Sequence, residues 1–279
     1  MRRRRTIFAT ALALCLLLSA SPARAGSITI NFGAGLPAGT ALFGSAVVDA
    51  GVLKLTDTGL VQGGQFYIDD LDAGQPVTAL TASFQMLIGG GPSPNFPADG
   101  LSLSFASDLP SVPTWGAPGE EGAGSGLIVS FDTWDNFPLF DDAIAIDVFF
   151  NGMRKGRFPY QSSQGPAPTF LDVLLVLRAD GTLDLSYGAV TAFSGLQTGY
   201  TPISGGRFAF AARTGGASDN HWIDDLTITT EAAAPAPVPD PGSSIVLLGT
   251  GLMFVAGAGA WVSGSGPGRF PQPRPMKNP

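Results

Sequence analysis

Three short polar segments contain the side chains best suited to bind a ligand. They are residues 97–100 (PADG), 132–136 (DTWDN) and 216–220 (GASDN), and each adjoins a run of apolar or alternating residues. Carboxylate and amide oxygens on short side chains are hard ligands that suit Ca²⁺, and they also hydrogen-bond to polar ligands. These segments therefore favour binding through oxygen atoms. The alternative for each is a solvated polar turn beside a buried strand.

Residues for covalent or acid–base catalysis are scarce. The chain has three glutamates (Glu120, Glu121 and Glu231), none in a run predicted to form a strand, one histidine (His221) and one cysteine (Cys15). Glycosidases need two facing carboxyl groups about 5 to 10 Å apart, and nucleophilic triads need a base beside the nucleophile. The sequence therefore predicts that the protein is not an enzyme.

The charge distribution argues against nucleic acid as a partner. Eight of the 15 basic residues lie in the two terminal segments, whereas all 22 acidic residues lie between them, which leaves a net charge of about −15 there. Such a surface repels phosphate backbones. Nineteen of the acidic residues are aspartates, a bias that suits both turns and Ca²⁺ ligands.

The middle of the chain has the pattern of an all-β domain. Short runs rich in Val, Ile, Phe and Thr alternate with Gly, Pro and Asp clusters, and no run has a helical period. Eleven runs predict strands: residues 27–31, 52–56, 65–68, 80–88, 101–105, 127–131, 144–150, 171–178, 182–187, 207–212 and 221–229. Asp180-Gly181 predicts a two-residue hairpin turn. This pattern indicates a sandwich or jelly roll of two antiparallel sheets.

Residues 1–25 have the layout of a cleavable secretory signal. Four arginines precede an apolar run at residues 7–18, and the small-residue site Ala23-Arg24-Ala25 follows. The run is shorter than the about 20 residues that span a bilayer, which disfavours an uncleaved anchor. We expect cleavage before Gly26, so that Cys15 leaves with the signal and the mature protein has no disulfide.

The composition changes again after Thr230. Residues 231–241 predict an extended Pro/Ala linker, and residues 242–279 a hydrophobic tail whose apolar stretch, 243–262, is long enough to span a bilayer. Val238-Pro239-Asp240-Pro241, this stretch and the basic residues after it resemble the PEP-CTERM sorting signal, with aspartate in place of glutamate. The resemblance implies transient membrane insertion, processing by an exosortase and release to the outer surface or extracellular matrix. A permanent anchor is the alternative.

The domain at residues 26–230 resembles the legume-type (L-type) lectins and their bacterial concanavalin A-like relatives. The resemblance rests on the order and spacing of residues 97–105, 126–136 and 207–223. It implies a concanavalin A-like β-sandwich that binds carbohydrate without catalysis. The alternative is a structural or adhesive matrix protein that has kept the fold and binds no sugar.

The resemblance also assigns roles to individual residues. It implies that Asp99 accepts hydrogen bonds from sugar hydroxyls, with a cis peptide bond between Ala98 and Asp99. Residues 122–126, with Gly124, would form a second binding loop, and Gly216 and Ala217 would lie in the loop that tunes specificity. Asn136 would contact both metal and sugar, and Trp134 is the best candidate to stack on a sugar ring.

A Ca²⁺ site is implied in the same region. The resemblance makes Asp132, the carbonyl of Trp134, and Asn136 calcium ligands, completed by Asp142 or its neighbour Asp141. Asp224-Asp225 is a candidate for a second calcium site.

Two family positions depart from the pattern. Ser130 and Ala143 stand where the family has the glutamate and histidine of an adjoining transition-metal site, so we expect that site to be lost. His221 falls where the family has a structural histidine.

Overall fold

The computed structural model describes residues 25–92, 97–114, 118–136 and 144–233. By its internal contacts the chain divides into one unit, Met1–Pro235, and a second, Ala236–Pro279, which lies entirely outside the described residues. The expected signal segment before Ala25, the sorting tail, and Asp141 and Asp142 also lie outside them. Within the described ranges no helix has the length and apolarity needed to cross a membrane.

The described part of the first unit consists of β-strands, turns and loops. The strands are β1 (Ser27–Ile30), β2 (Thr40–Gly44), β3 (Val47–Asp49), β4 (Val52–Thr56), β5 (Gly63–Ile68), β6 (Pro76–Gly89), β7 (Gly100–Ala106), β8 (Leu127–Asp132), β9 (Ala145–Phe150), β10 (Met153–Phe158), β11 (Leu171–Leu177), β12 (Thr182–Tyr187), β13 (Val190–Gln197), β14 (Ile203–Ser204), β15 (Arg207–Arg213) and β16 (Asn220–Ala232).

The strands form two antiparallel sheets. The nine-stranded sheet has the order β13-β12-β11-β6-β16-β4-β3, with β1 added to β16 and β14 added to β6. The seven-stranded sheet has the order β10-β9-β8-β7-β15-β5-β2. Strands far apart in the sequence pair in both sheets, such as β6 with β16 and β7 with β15, as in the sandwich that the sequence predicts.

The core lies between the sheets and is rich in aromatic rings. Phe84 of β6 meets Phe210 of β15 edge to face, with ring centroids 5.1 Å apart. Phe131 of β8 and Tyr187 of β12 make a second contact between the sheets, at 5.8 Å. Burial of each such ring contributes about 1.5 to 3 kcal/mol, so these pairs fix how the sheets are stacked.

Strands β7 and β8 are buried on both faces, because the loop before β8 covers their outer side. Ser102 Oγ donates to the carbonyl of Gly119 (2.5 Å), and Ser130 Oγ donates to the carbonyl of Glu120 (2.6 Å). The backbone N–H of Ala123 donates to Ser104 Oγ (3.1 Å). The serines that alternate with apolar residues therefore anchor the loop to the sheet.

All eleven predicted strands are present, and the five that the sequence did not predict are β2, β3, β10, β13 and β14. Four of these are the outer strands of the two sheets, and β14 is a two-residue pairing. The hairpin between β11 and β12 is confirmed, but its loop is longer than predicted, because Arg178 N–H bonds to the carbonyl of Thr182. Glu231, which the sequence analysis placed outside the strands, lies in β16.

Candidate functional site

The site lies where three neighbouring strands of the seven-stranded sheet begin or end. Gly100, the first residue of β7, is paired with Asp132 at the end of β8 on one side and with Arg213 at the end of β15 on the other. The antiparallel register therefore brings Asp99, Asp132 and Arg213 together at the same end of these three strands. Gly100 has a φ of 140°, and a Cβ there would overlap the carbonyl oxygen of Phe131, so only glycine fits.

Asp99 is held by Arg213 through both backbone and side chain. The Asp99 backbone N–H donates to the Arg213 carbonyl (2.9 Å), and Arg213 Nε donates to Asp99 Oδ2 (2.9 Å). The expected cis peptide bond between Ala98 and Asp99 is confirmed. The Asp99 side chain is only 8% exposed, so its position is fixed before any ligand arrives.

Arg213 also binds a second carboxylate, that of Glu120. Its Nη2 donates to Glu120 Oε1, and Asn136 Nδ2 donates to the same oxygen (3.1 Å). Glu120 is fully buried, and its Oε2 has no hydrogen-bond partner in the described part of the chain. One glutamate thus connects the arginine beside Asp99 to the loop that follows β8.

Burial raises the pKa of both carboxyl groups. The pKa of Asp99 is raised by desolvation, while the nearby Arg213 guanidinium opposes the rise. Desolvation raises the pKa of Glu120 to about 8, the charge of Glu121 adds to the rise, and Arg213 again opposes it. Arg213 therefore favours the ionised form of both carboxyl groups, but desolvation outweighs it and leaves Glu120 mostly protonated at neutral pH.

The loop after β8 is shaped by its own polar groups. Asp132 Oδ1 accepts a hydrogen bond from the backbone N–H of Trp134 (2.9 Å), and Asn136 Nδ2 lies 3.4 Å from the Trp134 carbonyl oxygen, to which it donates. Carboxylate, carbonyl and amide oxygens are therefore concentrated in five residues. This is the donor chemistry that Ca²⁺ takes, so the residues present fit the ion. Within the described ranges, no group of three or more His, Cys, Asp or Glu is placed to hold a metal.

Two further loops are joined on the other side of Asp99. Thr214 Oγ1 donates to the carbonyl of Gly59 (2.8 Å), and Ser218 Oγ donates to the carbonyl of Thr58 (2.7 Å). The loop between β15 and β16 is thereby attached to the loop between β4 and β5, which carries Leu60. Leu60 is 57% exposed.

These loops enclose a cavity of about 640 Å³. The described residues that line it are Leu60, Pro92, Asp99, Trp134, Asn136, Gly215, Gly216, Ala217 and Ser218. Its lining combines a carboxylate, an amide, an aromatic ring and glycine-rich backbone, which is the composition of a site for a small polar ligand.

The cavity brings together five of the six residues predicted to bind carbohydrate: Asp99, Trp134, Asn136, Gly216 and Ala217. Gly124 is not among the described lining residues. It lies against Ala106 and Asp108 in the loop after β7, where a Cβ would come within 2.6 Å of Ala106 Cβ. No residue of the predicted binding loop 122–126 is among the described lining residues, so its role in binding stays a prediction.

Of the predicted metal ligands, Asp132, Trp134 and Asn136 are adjacent as expected, while Asp141 and Asp142 lie outside the described residues. Asp224 and Asp225 lie at an irregularity in β16, where Asp225 N–H donates to Asp224 Oδ1 (2.8 Å).

Ser130, one of the two departures from the family pattern, and His221, the expected structural histidine, both have structural roles, while the other departure, Ala143, lies outside the described residues. Ser130 holds the Glu120 carbonyl and is paired in register with Asp147, whose carboxylate binds Arg157. His221 is fully buried, and its Nδ1 lies 2.6 Å from Thr56 Oγ1.

Sequence reasoning missed Arg213, Glu120 and Leu60. Arg213 ends a predicted strand whose other residues are apolar, so the signal available was a charge at the end of a buried run. Glu120 and Leu60 lie in loops whose path depends on contacts with distant segments, and local sequence carries little information about such contacts.

Comparison with known proteins defines the class of fold. No family model matches the sequence, and no curated protein matches it either. Among solved structures, the VIP36 exoplasmic/lumenal domain in a Ca²⁺/Man2-bound form matches with a TM-score of 0.55 and 18% identity, over 78% of this chain and 91% of that one. Basic winged bean lectin with Tn-antigen matches with a TM-score of 0.56 and 18% identity, over 76% of this chain and all of the other.

Winged bean acidic lectin complexed with methyl-α-D-galactose gives a similar match, with a TM-score of 0.53 and 16% identity over 75% of this chain and 99% of that one. The fold is thus the concanavalin A-like sandwich that L-type lectins have. At these identities the likeness establishes the fold, and the function has to be argued from the site.

Proposed function

We propose that this protein binds carbohydrate in the cavity around Asp99 and has no catalytic activity. The observation that carries the proposal is the cavity itself, in which Asp99, Asn136 and Trp134 line the same space. A carboxylate accepts hydrogen bonds from two neighbouring sugar hydroxyls, an amide donates one, and an aromatic ring covers the apolar face of a pyranose. The structural neighbours named above include proteins in complex with mannose- or galactose-containing ligands, which supports the same proposal.

The charge of the site favours uncharged glycans. No Lys or Arg is among the described lining residues, and the guanidinium of Arg213 is bound to Asp99 and Glu120. Residues 93–96, 115–117 and 137–143 contain no basic residue in the sequence. An acidic sugar would meet the Asp99 carboxylate without a free cation to compensate, so its binding would be disfavoured.

Calcium dependence belongs to the same proposal. Asp132, the carbonyl of Trp134, and Asn136 would hold the ion, with Asp142 or Asp141 completing the set. When bound, Ca²⁺ supplies a fixed positive charge that orders the loop after β8. Asn136 also lines the cavity, so ordering this loop reduces the entropy lost when a sugar binds.

The position of Glu120 argues against a glycosidase. Asp99 and Glu120 are two carboxyl groups on one guanidinium, the kind of pair that a glycosidase needs. Glu120 is fully buried and is not among the described residues that line the cavity, so a bound sugar would not reach it. Glu120 therefore supports Asp99 through the guanidinium that the two carboxyl groups share.

We further propose that the protein is exported and sorted to the cell surface or extracellular matrix. Support comes from the sequence of residues 1–25 and of residues 238–262, which resembles a PEP-CTERM signal. Mass spectrometry of protein from its native host should give an N-terminus at Gly26 and loss of the tail beyond about Pro241. Membrane-inserted protein that still ends at Pro279 would contradict exosortase processing.

A glycan array tests carbohydrate binding directly. Residues 26–235 are applied to arrays of neutral, amino and acidic glycans, with Ca²⁺ and with a chelator. Calcium-dependent binding to neutral glycans supports the proposal. If no glycan on the array is bound, the second candidate, a structural matrix sandwich, is favoured instead. The expected loss of the second metal site at Ser130 also favours this candidate.

A further inference from the structure

The segment before β1 begins in a buried position. Gly26 is buried, and its carbonyl accepts hydrogen bonds from Thr230 N–H (2.9 Å) and Thr230 Oγ1 (3.2 Å). The preceding residue, Ala25, is exposed. The expected signal cleavage site, between Ala25 and Gly26, thus coincides with the point where the chain enters the fold.

Three oxygen atoms surround a single point next to the Cα of Gly26. A Cβ built on Gly26 would lie 2.7 Å from the Leu71 carbonyl oxygen, 2.8 Å from Thr230 Oγ1 and 2.9 Å from Asp72 Oδ1. These are too close for carbon, but they are the distances at which an ammonium nitrogen binds oxygen. The point is therefore shaped for a nitrogen with several N–H donors.

One of these oxygens lacks a partner among the described residues. Asp72 is 1% exposed, and its Oδ2 accepts a hydrogen bond from Thr230 Oγ1 (2.7 Å), but no described residue donates to its Oδ1. A buried carboxylate oxygen without a donor is costly, and in native proteins such an atom calls for an explanation. The loop between β5 and β6 that carries Asp72 is otherwise well bonded, with Asp70 accepting from the backbone N–H groups of Asp72 and Gly74.

We propose that hydrolysis of the Ala25–Gly26 bond creates the missing partner: the new α-ammonium of Gly26 turns inward and binds Asp72, Thr230 and the Leu71 carbonyl. Water adds across the peptide bond through a peptidase of the export machinery. The Ala25 carbonyl leaves with the signal as a carboxylate, and the amine that stays on Gly26 takes up a proton.

The movement required is one bond rotation. The nitrogen and the position of a Cβ are two of the tetrahedral positions on Cα, so a rotation of about 120° around the Cα–C bond carries the nitrogen to the point between the oxygens. Before cleavage the nitrogen is bonded to Ala25, and this acyl group would have to enter the buried space as well. The ion pair is thus available only to the processed chain.

The surrounding titratable groups are acidic or phenolic. They are Asp70 and Asp72 in the loop between β5 and β6, Glu231 next to Thr230, and Tyr200, whose pKa is raised by burial and further by the charge of Asp72. Among the described residues, a cation at Gly26 therefore meets favourable charges.

The test compares the full-length precursor with a variant that has one serine inserted between Ala25 and Gly26, each alone and combined with Asp72→Asn. All are exported from a bacterial host, and N-terminal sequencing identifies the first residue of each. The insertion moves the α-ammonium out of the site, and we expect it to lower Tm by about 4 °C or more. The loss should be much smaller in the Asp72→Asn background, because the two changes remove the same contact.

A second measurement does not depend on any variant folding. In the wild-type protein, NMR of labelled Gly26 should show the α-ammonium titrating clearly above its usual pKa of about 8. An ordinary titration, an equal loss of Tm from the insertion in both backgrounds, or a mature chain that begins elsewhere than Gly26 would each overturn the proposal. The inference rests on the proposed export and cleavage before Gly26, which N-terminal sequencing tests by itself, whereas none of these results depends on sugar binding.

Discussion

Arg213 and Asp99 hold each other by two independent contacts, one between backbones and one between side chains. The Asp99 N–H donates to the Arg213 carbonyl, and Arg213 Nε donates to Asp99 Oδ2, each at a distance of 2.9 Å. The first contact continues the pairing of β7 with β15 beyond Gly100, and the second orients the carboxylate. The proposed ligand-binding group is thus fixed by the sheet rather than by a flexible loop, which reduces the entropy lost on binding.

The first prediction concerns Asp99 itself. Asp99→Asn should weaken sugar binding tenfold to a hundredfold, because a hydrogen bond to a charged group contributes about 1.5 to 3 kcal/mol. Isothermal titration against the best glycan from the array measures the change. Asp108→Asn is the matched control, since Asp108 binds the Ser125 N–H and is not among the described cavity residues. Unchanged affinity in Asp99→Asn would show that sugar binds elsewhere.

The second prediction concerns Arg213. Arg213→Met should lower the free energy of unfolding by about 3 to 5 kcal/mol, because it leaves buried carboxylates without their cation. Adding Glu120→Gln should recover part of this loss at about pH 9, above the Glu120 pKa of about 8, since one of the unpaired charges is then removed. Urea unfolding of the single and double variants measures both effects. If Glu120→Gln gives no recovery, the ion pair between Arg213 and Glu120 does not contribute as the geometry implies.

The third prediction concerns calcium. A ligand present at 100 times its Kd adds about 2.7 kcal/mol to stability, which for a domain of this size raises Tm by about 5 to 10 °C. Calcium should raise the Tm of the wild type and of Asp224→Ala, but not that of Asp132→Ala. A shift that disappears in Asp224→Ala instead would place the ion at the alternative site in β16.

The fourth prediction concerns Leu60 at the rim of the cavity. Leu60→Ala should weaken sugar binding about threefold to tenfold while leaving Tm unchanged, because the side chain is exposed in the free protein and would be covered only by ligand. Val112→Ala is the control, because Val112 is 70% exposed and is not among the described lining residues. Equal affinities of wild type and Leu60→Ala would remove Leu60 from the binding surface.

The fifth prediction concerns pH and His221. Burial lowers the pKa of His221 to about 3, whereas an unfolded chain has a histidine pKa of about 6.5. The unfolded state therefore binds the proton first, so stability from this group is complete above about pH 6.5 and is lost as pH falls toward 3. The loss should total roughly 3 to 5 kcal/mol. His221→Asn should flatten the corresponding part of the curve of unfolding free energy against pH; a curve with the same slope as wild type would contradict the assignment.

The fold was predictable because its inner strands are apolar on at least one face. β6, β7, β8 and β15 stand out as continuous or alternating apolar runs. β10, by contrast, has the sequence MRKGRF and lies at the edge of its sheet. An edge strand has only one neighbour and more contact with water, so it lacks the burial that produces a recognisable pattern. For this reason β2, β3, β10 and β13 were missed together.

The site was predictable where a motif is local and not where it depends on contacts across the fold. Asp132 and Asn136 are four residues apart and could be identified as one loop. Asp99, Glu120 and Arg213 come together only because β7 pairs with β8 and β15, which a single sequence does not reveal. The expectation for Gly124 rested on the resemblance alone, and the described cavity lining contains no residue of its loop.

The loops around the cavity have two separate supports, and this separation has an evolutionary consequence. Asp99 is hydrogen-bonded to Arg213, and Asn136 is hydrogen-bonded to Glu120. The segment carrying Gly216 and Ala217 is attached separately, to the loop with Leu60. Changes in Leu60, Gly216 or Ala217 therefore leave the hydrogen bonds of Asp99 and Asn136 in place. Descendants of this chain could acquire preferences for different sugars by altering a few rim residues, without first rebuilding the part of the site that every sugar would use.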